Sequence, residues 1–222
     1  MGPVLAVEEL EIADPPGPWA DAGFTLADDG TCRVGDVRLR FTGRERERGT
    51  GIVGWSLRGL PEGWAAGDLD GVPTAPGTTP ADVPAGRPPE HPNGATVIDH
   101  VVLLTPDLAR TRAALAAIGA DERRVRDGAM GGAAVRQVFY RWGEVVVEVV
   151  GAPDGHGEGP ASLWGVTFAV ADIDAAAALL GERAGPVKDA VQPGRRITTV
   201  RHRDLGLSVR TALISPYVRA TR

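Results

Sequence analysis

One cysteine stands in 222 residues, so the chain can form neither an intramolecular disulfide nor a cysteine-rich metal cluster. Cys32 has no organised base beside it in sequence and reads as a small strand residue rather than a nucleophile. Long apolar runs are also missing. No stretch of about 18 apolar residues occurs, and no membrane span is expected. The first ten residues, MGPVLAVEEL, lack the basic start and extended apolar core of a secretion signal, so the expectation is a cytoplasmic protein. Positive charge is short: 24 Lys and Arg against 29 Asp and Glu give a net charge of -5, which excludes a general nucleic-acid binder. Lys188 is the only lysine, and with abundant alanine, glycine and valine this suggests GC-rich bacterial codon usage.

What is present suffices for folding. Hydrophobic residues make up 43% of a chain long enough for one large core or two small ones. Residues 61–95 break the pattern: proline and glycine are frequent and no helical or alternating period persists, so the stretch reads as a linker or wrapping loop. After it comes an internal repeat. VIDHVVLLTPDLARTRAALAAIGA from Val97 and LWGVTFAVADIDAAAALLGERAG from Leu163 each give an apolar strand, a capping aspartate (Asp107, Asp172) and an Ala-rich helix closed by glycine. In the first copy Leu108, Thr111, Leu115 and Ile118 recur at helical spacing. A further strand and a hairpin turning at glycine follow each helix. The fold class is therefore α+β, with paired βαβββ modules over 96–152 and 161–217. Residues 1–60 read as a degenerate N-terminal module of the same kind, since TCRVGDVRLRFTG mirrors FYRWGEVVVEVVG about its glycine. GIVGWSLRGL resembles the opening strand of yet another copy, with no helix after it. The mixed-charge run 44–48 reads as an exposed face.

The string IDHVVLLTPDL, the helix ending IGA and the strand WGEVVVEVVG together resemble the vicinal-oxygen-chelate superfamily, which includes glyoxalase I, extradiol dioxygenases and methylmalonyl-CoA epimerase. The resemblance implies that the mixed sheets of the paired modules curl around a cavity and, in the metal enzymes, that ligands come from the first and last strands of each module. By match, the first module supplies His100 and Glu148, donors suited to a divalent ion such as Zn, Ni, Mn or Fe. The second departs from the pattern. Asp107 and Asp172 lie 65 residues apart, and the same step carries His100 to Gly165; aligning the turn glycines Gly143 and Gly206 carries Glu148 to Thr211. Half of the ligand set is then missing, and a divalent ion usually needs three protein ligands.

Three readings follow. The first is a protein that binds a small molecule, with His100 and Glu148 as an acid/base pair working without metal and Gln137, Arg195 and Trp142 as ligand contacts. The second is a metal-dependent lyase, isomerase or dioxygenase whose site is completed by neighbours such as Gln192 or His202. The third is a non-catalytic interaction protein, in which the N-terminal module covers the cavity or builds a homodimer. His91, before the first good strand, reads as a turn residue or as a group at the cavity mouth.

Overall fold

The computed structural model describes residues 4–44, 49–78 and 88–217. The chain opens with β1 (Ala6–Ile12), a short helix α1 (Gly17–Asp21), β2 (Cys32–Val34) and β3 (Val37–Phe41). Next come β4 (Ile52–Arg58), β5 (Gly67–Leu69) and β6 (Val72–Pro76), with no helix among them. The third block is β7 (Ala95–Leu104), α2 (Leu108–Ala117), β8 (Glu122–Met130), β9 (Ala133–Trp142) and β10 (Val145–Gly151). The fourth is β11 (Ser162–Val170), α3 (Ile173–Leu180), a single 3-10 turn, β12 (Lys188–Asp189), β13 (Arg196–Thr199) and β14 (Arg210–Ile214).

One pairing rule governs all four blocks. The last strand returns parallel to the opening strand, and the strands before it add outward as antiparallel neighbours, giving β7-β10-β9-β8, β11-β14-β13-β12, β1-β3-β2 and β4-β6-β5. The opening strands pair antiparallel in twos, β1 with β4 and β7 with β11, and the single pair Ile52–Leu163 joins the two halves into one continuous sheet. The α+β class with curled βαβββ modules is what the repeat and the resemblance implied. The 61–95 stretch differs from a plain linker: β5 and β6 lie inside it and complete a helix-less module behind β4. Residues 79–87 of that stretch, and 45–48 of the mixed-charge run, lie outside the described residues.

The helices form where the sequence signals them. Asp107 caps α2 by accepting from the Arg110 amide at 2.9 Å, and Leu108, Thr111 and Leu115 face inward before Gly119 ends the run at φ +80°. Asp172 caps α3 from the Asp174 and Ala175 amides. These helices cover one face of the sheet. There Val101, Leu103, Val138, Tyr140, Val147 and Val149 form a continuous core with Leu108 and Leu115. The N-terminal module is fastened across the chain by Trp19 and Phe24, which stack on each other and on Phe168 of β11. Asp14, wholly buried, accepts from the Trp19 indole at 3.3 Å and from the Ser208 amide at 2.9 Å. Among the described residues no helix is long and apolar enough to cross a membrane.

Candidate functional site

Each opening strand carries an extra residue at the same place, and β7 has a second, Thr96, near its start. The antiparallel register skips Glu8 in β1, Val53 in β4, Asp99 in β7 and Trp164 in β11. Such a bulge resets the two-residue alternation of a strand. Its mark is a pair of buried apolar residues three apart, which a regular strand would put on opposite faces: Val7 and Leu10, Ile52 and Trp55, Ile98 and Val101, Leu163 and Val166. The two residues between them are released toward the other face. In β7 those two are Asp99 and His100.

The consequence is a contact that adjacent residues of a flat strand would not make. His100 Nδ1 lies 2.8 Å from Asp99 Oδ1. The second oxygen, Asp99 Oδ2, lies 2.6 Å from Arg195 Nη2, and the Arg195 side chain is only 1% exposed. That ion pair is close but off the N–H axis, and Nη1 of Arg195 has no partner among the described residues. Arg195 is anchored by its Nε donating to the Ser215 carbonyl at 2.8 Å and by the Tyr217 ring, 4.0 Å from Cζ. Burial by itself would raise the Asp99 carboxyl, but His100 and Arg195 outweigh it, and Asp99 sits below the ordinary carboxylate range. It is therefore an acceptor. A neutral His100 must then carry its proton on Nδ1, leaving the Nε2 lone pair free.

His100 borders a cavity of about 340 Å³ between β7, β11 and β14, near the lower end for ligand pockets. Opposite it lie Trp164 and Gly165 of β11, Arg210 and Ala212 of β14, and His202 from the loop before β14. The Arg210 guanidinium stacks on Trp164, its Cζ 4.7 Å from the ring centroid. His202 has its pKa lowered by burial first and then by the neighbouring Arg210 and Arg203 cations.

Glu148 shares this face but stands one row along: β10 pairs Glu148 with Val102 and Val146 with His100. Its carboxylate accepts from the Gln137 amide, whose oxygen in turn accepts from Arg126 Nε at 2.7 Å. Gln137 and Glu148 are thus engaged with each other, and His100 has Asp99 as its carboxylate partner. Trp142 is on the helix-covered side, buried against Trp55 with ring centroids 5.2 Å apart, so it does not reach the cavity. His91 is fixed away from the mouth: Nδ1 accepts from the Thr25 amide and Nε2 meets the Arg33 carbonyl, both at 3.0 Å. Sequence reasoning missed Asp99, Trp164 and Arg210 as site residues.

No family model matches the chain, and neither does any curated protein. Solved structures do. A variant of 4-hydroxymandelate synthase from Streptomyces coelicolor matches over 97% of this chain and 94% of its own, with a TM-score of 0.62 and 16% identity. A fusion of a xylose isomerase-like TIM barrel with 4-hydroxyphenylpyruvate dioxygenase matches 97% of this chain and 50% of its own, with a TM-score of 0.58 and 12% identity. A methylmalonyl-CoA epimerase from Mycobacterium tuberculosis covers 56% of this chain and 91% of its own, at 0.44 and 16%. The fold is the vicinal-oxygen-chelate fold. At such identities the likeness extends to the architecture and to nothing chemical.

The ligand positions of the vicinal-oxygen-chelate metal enzymes can now be located by register. His100 pairs with Thr167 and Val102 with Gly165, a symmetric pattern that makes Gly165 the counterpart of His100. On the closing strands, Glu148 stands beside Val102 as Ala212 stands beside Thr167. The counterpart of Glu148 is thus Ala212 and not Thr211, which is buried with its hydroxyl donating to the Val209 carbonyl. Turn glycines misalign the strands because the loop before β14 is longer than the turn before β10. Gly165 is also closed to substitution: a Cβ there would lie 2.8 Å from the Arg210 carbonyl oxygen. Among the described residues no group of three or more His, Cys, Asp or Glu is arranged to hold a metal ion. The residues at these positions do not fit a divalent cation.

The first pair of modules shows the same face put to another use. Glu9 and Glu11 hold the places of His100 and Val102, and Arg38 and Arg40 those of Val146 and Glu148. Glu9 meets Arg38 Nε at 2.5 Å and Arg40 Nε at 2.7 Å, and Glu11 meets Arg40 at 2.8 Å. This ladder of ion pairs fills the positions that His100, Val102, Val146 and Glu148 hold in the other pair.

Proposed function

We propose that this chain binds a small molecule in the cavity between β7, β11 and β14 and moves a proton on it through His100, without a resident metal. The observation that carries the reading is the Asp99–His100 contact at 2.8 Å beside the cavity, with Arg195 behind Asp99. A carboxylate on Nδ1 fixes the tautomer and ring orientation and stabilises the imidazolium formed when Nε2 takes a proton. In that step the proton passes from an acidic C–H or O–H of the ligand to Nε2. The electron pair stays on the ligand as an enolate or oxyanion. Return of the proton, to the same atom or a neighbouring one, restores His100. Glu148 lies one row along on the same face, held by Gln137 and outside the lining of that cavity, so His100 alone handles the proton. The reaction class is isomerisation at an activated C–H bond.

The test has two parts. Nitrogen-15 NMR of the full chain reads the His100 tautomer directly, and the Nδ1–H form is expected. Deuterium wash-in from heavy water into small α-keto and β-keto carboxylic acids is then followed with the wild type, His100→Asn, Asp99→Asn and Glu148→Gln. Loss of His100 is expected to slow wash-in by about 10²–10⁴-fold, the usual worth of a positioned general base. An Nε2–H tautomer, or wash-in untouched by His100→Asn, would falsify the proposal.

A further inference from the structure

We infer that the ligand is a small organic carboxylate, received by Arg210 on the Trp164 ring; this rests on the cavity beside His100 being the ligand site. Three basic side chains border the cavity, His100, His202 and Arg210, and no Asp or Glu does. Asp99 behind His100 is already matched by Arg195. Among the described residues the exposed Arg210 guanidinium makes the Trp164 contact and no ion pair or hydrogen bond, so its charge is open to an anion arriving from solvent. Stacking holds the fork flat while leaving its edge free, which is the geometry for two parallel hydrogen bonds to a carboxylate.

The spacing agrees with that assignment. His100 is on β7 and Arg210 on β14, with β11 between them, one row apart. Two strand spacings amount to roughly 10 Å between backbones. Arg210 is exposed at the rim of the cavity and His100 is half-buried, so a carboxylate held by Arg210 at the rim puts a carbon a few bonds deeper toward Nε2. A cavity of about 340 Å³ takes a metabolite of modest size. Gly165 adds no side chain beside Arg210, and Thr167, on the same strand as Gly165, lies next to His100.

Calorimetric titration of the full chain with benzoate, its neutral isostere benzamide, and phenyl phosphate tests the inference. Benzoate is expected to bind at one per chain and at least about tenfold more tightly than benzamide, a step of about 1.4 kcal/mol. Arg210→Ala and Arg210→Gln are both expected to erase that preference, and Arg210→Lys to keep part of it as a point charge without the fork. The two readings fail separately: deuterium wash-in untouched by His100→Asn removes the proton transfer, while a wild-type preference for benzoate over benzamide that Arg210→Gln erases still supports the anion site. Equal binding of benzoate and benzamide, no benzoate binding at millimolar concentration, or full affinity in both Arg210 variants overturns the inference. Tighter binding of phenyl phosphate than of benzoate overturns the carboxylate class in favour of a phosphate ligand.

Discussion

Asp99→Ala strands a cation. The Arg195 side chain is 1% exposed, its Nη1 already lacks a partner, and Asp99 is the only carboxylate it meets among the described residues. Removing one member of a buried pair leaves an uncompensated charge, at a cost of about 3–5 kcal/mol. For a domain of this length that corresponds to a fall in Tm of roughly 10 °C. The reverse change costs less. Arg195→Met keeps most of the volume and leaves Asp99 with His100 as partner. The double variant should therefore melt close to Arg195→Met, well above the sum of the two single losses. Melting curves by circular dichroism at pH 7 read all four proteins. The acid limb gives a second signature. Asp99 is held below its ordinary value, so its contribution is present above the unfolded carboxylate pKa and is lost as pH falls through the lower folded value. That slope should be missing from Asp99→Ala. Equal and small losses in the two single variants, or strict additivity in the double, would refute a buried pair supporting His100.

Three other perturbations address neighbouring features. Gly165→His restores a donor type at the register position of a family ligand, but the Arg210 carbonyl crowds the new Cβ; stability should fall by about 1–3 kcal/mol, and metal analysis after dialysis should find no bound Zn, Ni, Mn or Fe. Burial raises the Glu144 carboxyl, so folding loses stability as pH rises from the ordinary carboxylate value through the raised one; Glu144→Gln, which still accepts from the Asp36 amide, should raise Tm at pH 7 and leave it nearly unchanged at pH 4, and an equal gain at both would contradict the assignment. Burial pushes the Cys32 thiol up to about 12, so iodoacetamide at pH 8 should modify it only after denaturation, as mass spectrometry would show.

Much of the architecture was legible because local signals and repetition agreed. The Asp107 and Asp172 caps, the glycine stops and the 65-residue step between them fix two modules, and the strand register preserves that step at His100 and Gly165. The helix-less module was not legible. β5 and β6 are 3 and 5 residues long and β6 contains two prolines, too short and too interrupted for any period to register. At the site, simple alternation assigns Asp99 and His100 to opposite faces, which hid the pair. The signal that betrays the bulge is apolar spacing of three in an otherwise alternating strand, at Ile98 and Val101, and it recurs in every opening strand. Arg210 escaped notice because a charged residue at the start of a short strand looks like any solvated end. Its meaning comes from Trp164, brought beneath it by the chain's return rather than by proximity in sequence.

The charge ladder of Glu9, Arg38, Arg40 and Glu11 bears on how many guests the chain can host. Duplication of a paired module would ordinarily yield two equivalent berths, and with them the prospect of one influencing the other. Here Glu9, Glu11, Arg38 and Arg40 satisfy one another across the first pair, so under the proposed function the second pair is the one left to receive a guest.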